Sequence, residues 1–327
     1  MKPRQFAIAL TLLVSCRFLF AADAYRIAVI PKGSTHEHWK TVHAGAIKAA
    51  RELADKGVKV EVLWEAPLRE DDRDYQMRVV ENLVAKRVSG ICIAPLDSKA
   101  LVPPINTATR AKIPVIVFDS ALKSDKPISY VATDNYKGGV LGAEHVGKLL
   151  GGKGNVILLR YAIGSAATEE REAGFLNTLK TKFPDLKLIS SDQYGGATRE
   201  TAYQVSQNLL NRHGKNVDGI FCVNETLTVG MTMALRNIGR AHGQVKLVGF
   251  DVGTAAVEAL KKGDVLGLVV QNPLKMGYTC ITTMVDHLQG RKVPEKIDTG
   301  VFLVTPDNIE TPEMQALIHP PLNEYLK

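Results

Sequence analysis

The sequence predicts an α/β protein made of two doubly wound parallel sheets, one following the other along the chain. Three observations predict it. Short apolar runs rich in Val and Ile alternate with longer amphipathic segments. The runs are continuously apolar rather than alternating, the pattern of strands covered by helices on both faces. A length of 327 residues suits about two domains of ordinary size.

Taken in order, strands are expected at 26–30, 58–63, 90–94, 115–118, 155–159, 219–223, 245–249 and 265–270. The first helix is expected at 38–53, where Trp39, Val42, Ala46, Ala49, Ala50 and Leu53 recur at spacings of three or four, and Gly57 follows as a stop. Similar patterns mark 75–86, 134–150, 168–183, 199–211, 227–238 and 275–288. Thr133, Asp134 and Asn135 offer N-cap side chains, and Pro184 ends its helix. A βαβα series this regular belongs to doubly wound sheets. No low-complexity linker divides it, so the chain is expected to cross between the lobes more than once.

The composition, 45% hydrophobic and 23% charged, is globular. Setting aside Lys2, Arg4, Arg17 and Asp23 lowers 41 basic and 34 acidic residues to 38 and 33. The rest are scattered, which reads as a solvated surface rather than a nucleic-acid footprint. Lys2 and Arg4 followed by an apolar run at 6–15 read as an export signal, too short to span a bilayer. Two processing readings stand side by side. Ala22-Asp23-Ala24 is a small-x-small site that would start the mature chain at Tyr25, and Leu13-Val14-Ser15-Cys16 resembles a lipobox that would lipidate Cys16. Cys92, Cys222 and Cys280 remain, an odd number in apolar segments, expected to be buried inert thiols.

Ligands of doubly wound sheets lie beyond the carboxyl ends of the strands. The first strand is followed by Lys32 and then His36-Glu37-His38-Trp39, the third by Asp97, the fourth by Asp119-Ser120. Later strands are followed by Asn224-Glu225, by Asp251 and by Gln271. This set mixes amides, both charge signs and one large aromatic, with no evident nucleophile and base. It suits a polyol, whose apolar face an aromatic covers and whose hydroxyl rim charged groups saturate. A few charge-assisted bonds at about 1.5–3 kcal/mol each, with stacking on Trp39, reach the roughly 8 kcal/mol of a micromolar complex. His36 and His38 could begin a hydrolase metal site, but the other histidines fall in helices or loops and supply no further strand-end ligand. Gly151-Gly152-Lys153-Gly154 follows a helix and precedes a strand, the wrong order for a phosphate loop. No cofactor is implied.

The segments IAVIPKGSTHEHWKTVHAGAIKAA, GICIAPLDSKAL, IPVIVFDS, YVATDNYKGGVLGAEHV, EEREAGF, GIFCVNETLTVGMTMAL, VGFD and LVVQNPLKMGY occur in this order. Together they resemble the periplasmic sugar-binding proteins of the ribose and galactose type, over about residues 26–304. The resemblance implies a type I periplasmic binding protein fold, with a three-crossing hinge near 132, 271 and 300 and delivery of a sugar or polyol to a membrane ABC permease. It implies an N-terminal lobe of 25–132 with 272–299, a C-terminal lobe of 133–271 with 300–327, and a monomer, behind the signal read at 1–24. The ligand contacts it implies are Lys32, His36, His38, Trp39, Asp119, Arg171, Asn224, Asp251 and Gln271, with Ser120 beside Asp119. Arg171 would reach across the cleft from a helix start.

Departures point away from ribose itself. Ribose binders carry paired Phe where His38-Trp39 stand, Asn where Ala94 stands, Arg where Ser120 stands, and a small polar residue in place of Lys32. A lysine there is similar to the binders of a furanosyl autoinducer. Three functions are therefore weighed: a transport receptor, a signal receptor of the same fold feeding a chemotaxis or sensor protein, and a metal-dependent hydrolase using His36 and His38.

Overall fold

A computed structural model describes residues 24–326. Cys16 and the rest of the signal and lipobox segment up to Asp23 lie outside the described residues. The chain opens with β1 (Tyr25–Ile30), α1 (Glu37–Asp55), β2 (Val60–Trp64), α2 (Arg73–Ala85), β3 (Gly90–Ile93), α3 (Val102–Arg110), β4 (Val115–Phe118) and β5 (Ser129–Ala132). It continues through α4 (Asn135–Leu149), β6 (Gly154–Leu159), α5 (Ala166–Lys182), β7 (Leu186–Ser190), α6 (Arg199–His213), β8 (Gly219–Cys222), α7 (Glu225–Asn237), β9 (Lys246–Phe250), α8 (Thr254–Lys261) and β10 (Gly267–Gln271). It ends with α9 (Pro273–Leu288), β11 (Lys296–Asp298), β12 (Val301–Val304), α10 (Pro312–Ile318) and α11 (Leu322–Tyr325).

Two six-stranded sheets result, in the orders β11-β5-β4-β3-β1-β2 and β12-β10-β9-β8-β6-β7. Every pairing is parallel except β10 with β12. The expected α/β class with two doubly wound sheets is the observed one. Successive residues of the first sheet bury on opposite faces. Ile27, Val29, Cys92, Ile116 and Phe118 pack with α1 and α9 residues, while Ala28, Ile30, Ile91, Ile93, Val115 and Val117 meet α2 and α3 residues. Burial on both faces is why these strands read as unbroken apolar runs. The second sheet buries one continuous core around Val156–Leu159, Phe175, Phe221 and Phe250.

The elements missing from the sequence reading are short or edge elements. β7 is half exposed at the sheet edge, and β5, β11 and β12 have three or four residues each. α3 starts with Pro103 and Pro104 in its first turn, where a missing N–H is harmless. The segments joining the sheets are tied side by side. Thr133 Oγ1 donates to the Gly300 carbonyl at 3.2 Å, and Thr299 N to the Ala132 carbonyl at 3.0 Å. Beyond β12 the tail divides. Met314, Leu317 and Ile318 of α10 join the second core, but α11 lies on α1 of the other lobe. There Arg51 donates to the carbonyls of Glu324 (2.7 Å) and Tyr325 (3.3 Å). The expectation of 300–327 lying wholly with the second lobe thus meets a further passage between lobes.

Candidate functional site

Strand ends from both sheets converge on one space. Lys32 stands two residues beyond β1, and the first turn of α1 presents His36, His38 and Trp39. Asp119 follows β4, Asn224 caps α7 by accepting from Leu227 N at 3.1 Å, Asp251 follows β9, Gln271 ends β10, and Arg171 comes from α5. These nine residues line a single cavity. Ser120 does not line it. Its fully buried hydroxyl instead accepts from Ala167 N at 3.1 Å, at the start of α5 in the opposite lobe. The expectation of Ser120 as a ligand contact is corrected: the residue after Asp119 turns away and closes a lobe-to-lobe bond.

The charges are arranged in sets. Lys32 Nζ lies 3.1 Å from Asp119 Oδ2, and His38 Nε2 lies 3.2 Å from Asp119 Oδ1. All three side chains are nearly inaccessible. Burial opposes the Asp119 charge, but Lys32 first and His38 next hold its carboxyl well below the usual range. Burial likewise opposes charge on His38, and the adjoining Asp119 outweighs it, raising the imidazole. Arg171 is fixed by three contacts: Nε donates to Asn135 Oδ1 and Nη1 to the Val223 carbonyl, each at 2.9 Å, while the guanidinium lies 3.7 Å over the Phe250 ring. It stands 3.8 Å from Asp251 Oδ2, and Asp251 Oδ1 accepts from Gln271 Nε2 at 2.6 Å.

Six more residues line the cavity: Glu70, Tyr161, Ser165, Ala167, Thr168 and Glu225. Glu70 Oε1 accepts from Trp39 Nε1 at 2.5 Å, and its Oε2 accepts from the Tyr161 hydroxyl at 2.6 Å across the cleft. Burial, reinforced by Glu70, pushes the Tyr161 phenol far up. Burial raises the Glu225 carboxyl, although His36 and Arg199 face it. Glu70 and Tyr161 each follow a strand, β2 and β6, so the strand-end rule that picks out Asp119 and Asp251 points to them as well. Glu225 stands directly after Asn224 at the start of α7.

Ser165 Oγ, Glu225 Oε2 and Gln271 Oε1 are buried without a hydrogen-bond partner. Buried polar atoms of this kind are rare and costly, and hydroxyl groups of a ligand would satisfy them. The lobes are already shut on each other. Ser98 N donates to the Gly164 carbonyl at 3.0 Å, and Glu37 accepts from Thr254 N and Oγ1 at 3.1 and 2.9 Å. His36 and His38 turn to different partners. Among the described residues no group of three or more His, Cys, Asp or Glu is placed to hold a metal ion. Cys92, Cys222 and Cys280 are unpaired, buried and away from the cavity lining.

A family model described as a periplasmic binding protein domain matches residues 27–292. The chain belongs to this family. This periplasmic binding protein is 31% identical over 298 residues to the D-allose-binding periplasmic protein of Escherichia coli K12, covering 89% of this chain and 92% of the relative. It is 32% identical over 291 residues to the D-ribose/D-allose-binding protein of Pseudomonas aeruginosa, covering 86% and 88%. Among solved structures it resembles a carbohydrate transporter solute-binding protein from Agrobacterium radiobacter in complex with D-arabinose, with TM-score 0.84, 33% identity, and 91% and 99% of the chains covered. An ABC transporter solute-binding protein from Agrobacterium vitis with bound D-fucose gives TM-score 0.84 at 31% identity, covering 90% and 100%. The family and these relatives are binding proteins rather than enzymes. Among the described residues no helix is long and apolar enough to cross a membrane.

Proposed function

We propose that this periplasmic binding protein captures a monosaccharide or related polyol between its lobes, performs no chemistry on it, and hands the closed complex to an ABC permease as a monomer. The observation that carries this reading is the single cavity walled by Lys32, Trp39 and Asp119 from one lobe and by Arg171, Asn224 and Asp251 from the other. Its carboxylates and amides accept from hydroxyls, its cations donate, and Trp39 offers an apolar wall. A ligand contacting both lobes stabilises the closed state by its differential affinity for it. The relatives named above are sugar binders, which supports the same class. Export, with or without a lipid tether at Cys16, would place the protein beside the permease.

Titration calorimetry with D-allose, D-ribose, D-arabinose and D-fucose tests the reading. Saturable binding of at least one sugar is expected, with loss of about 100-fold or more in affinity for Asp119→Ala and Trp39→Ala. Failure of all four to bind, or wild-type affinity in both variants, would refute it. Mass measurement of the exported protein distinguishes a chain starting at Tyr25 from one lipidated at Cys16.

A further inference from the structure

His36 and Glu70 stand between two spaces. Both line the cavity, and both line a neighbouring groove whose walls include Leu68, Arg199 and Thr201. Both also reach the opposite lobe: Glu70 meets the Tyr161 hydroxyl at 2.6 Å, and His36 lies 3.4 Å from Glu225 and 3.3 Å from Thr226 Oγ1. The partition is braced on each side. Trp39 Nε1 holds Glu70 from behind, and Arg199 holds Glu225 at 2.6 Å. Glu225 lies so close to the backbone of Gly253 that an added Cβ there would stand 2.7 Å from Oε1.

We infer that Glu70 and Tyr161, with His36 beside them, set the size limit of the ligand. The site takes an unsubstituted monosaccharide and rejects a derivative whose substituent points toward the outer groove. This rests on the sugar-capture reading. A substituent at that place must part the Glu70–Tyr161 bond or hold the lobes open. Parting the bond leaves Glu70 Oε2 and the buried Tyr161 hydroxyl without a partner, and burial makes such losses costly. Removing part of the wall joins the cavity to the groove and gives the substituent a place to lie. The same atoms therefore serve twice, since Glu70 orients the indole of Trp39 and shuts the cavity.

The test is calorimetric titration of the full chain. The tightest binder among D-allose, D-ribose, D-arabinose and D-fucose is compared with its methyl glycosides and its mono-O-methyl ethers at each hydroxyl. Wild type is expected to bind at least one derivative about 10-fold or more weakly than the parent. Glu70→Ala and Tyr161→Ala are expected to narrow that ratio about 10-fold, and Tyr161→Phe, which removes the hydrogen bond but keeps the wall, to narrow it by less. Melting curves without ligand establish that each variant is folded, and the two alanine variants lie on different lobes, so one suffices if the other fails to fold. Equal binding of all derivatives by wild type, or an unchanged ratio in a folded alanine variant, would overturn the gate while leaving sugar capture intact. Absence of binding by any of the four sugars would instead overturn the capture reading, and the gate with it.

Discussion

Asp119 and Asp251 are counterparts from the two lobes. Each directly follows a strand, β4 or β9, each has a left-handed backbone (φ of 60° and 67°), and each donates its N–H to the neighbouring strand, at the Val131 carbonyl (3.0 Å) or the Val269 carbonyl (2.8 Å). The left-handed turn costs backbone energy that Asp tolerates better than most residues. It bends the chain sharply at the strand end and leaves both carboxylates on the wall of one cavity.

The counterparts differ in their partners, which gives the first prediction. Asp119 balances Lys32 and His38 at 3.1 and 3.2 Å, whereas the nearest cation to Asp251 is Arg171 at 3.8 Å, itself held by Asn135 and Val223. Asp119→Asn leaves the buried Lys32 and His38 side chains without their carboxylate and is expected to lower unliganded stability by about 3 kcal/mol. Asp251→Asn should cost less stability while still weakening sugar binding. Urea unfolding of both variants decides the matter, and equal losses would contradict this account.

Stability should fall on both sides of a mildly acidic optimum. Burial, only partly offset by Arg160, pushes the Glu172 carboxyl up to about 7 from an ordinary 4.5. A carboxyl raised on folding favours the native state when protonated, so stability declines as pH rises from 4.5 to about 7 and levels off above. At about 1.4 kcal/mol per unit the loss approaches roughly 3 kcal/mol. His38, also raised, loses its contribution as pH climbs above 6.5, while the depressed Asp119 loses its own as pH falls below 3.8. Unfolding free energies measured from pH 4 to 8 should show the decline, and Glu172→Gln should remove the Glu172 share of it, roughly 3 kcal/mol. A Glu172→Gln profile matching wild type would reject the assignment.

Fluorescence separates the two tryptophans. Trp39 lines the cavity, while Trp64 stacks on His43 with ring centroids 4.2 Å apart and is not part of the lining. Trp64→Phe is expected to keep the emission change on sugar binding, and Trp39→Phe to abolish it. The reverse pattern would place the ligand elsewhere.

Helix contact through glycine makes a fourth prediction. A Cβ at Gly139 of α4 would stand 1.9 Å from the Arg171 carbonyl, and one at Gly45 of α1 would stand 2.0 Å from the Leu274 carbonyl. Either Gly→Ala change must push two helices apart, at a cost of about 1–3 kcal/mol. Only Gly139→Ala displaces the turn that carries Arg171. Both variants should melt earlier, and Gly139→Ala should lose more sugar affinity in calorimetry. Comparable affinity loss in the two would remove the special role of the α4–α5 contact.

Much of this architecture was legible because burial leaves a local trace. Strands such as Val115–Phe118, covered on both faces, are written as unbroken apolar runs, and polar residues such as Asp119 and Asp251 follow them at the strand ends. The same rule applied to β2 and β6 would have led toward Glu70 and Tyr161. Ser120 shows where adjacency misleads: the left-handed turn at Asp119 redirects the chain just past β4, so Asp119 lines the cavity while the next residue bonds to the opposite lobe.

By itself the sequence determined the α/β class, the succession of two sheets and most of the polar strand ends, since each depends on periodicity and burial within a short segment. Only the tertiary structure decided that Glu70 meets a hydroxyl 91 positions away and that the α11 tail returns to Arg51. It also decided that Lys32 and His38 share one carboxylate. The first contact arises where one lobe closes on the other and the rest where distant segments pack together, and no local pattern of hydrophobicity records which far-apart side chains come within bonding distance.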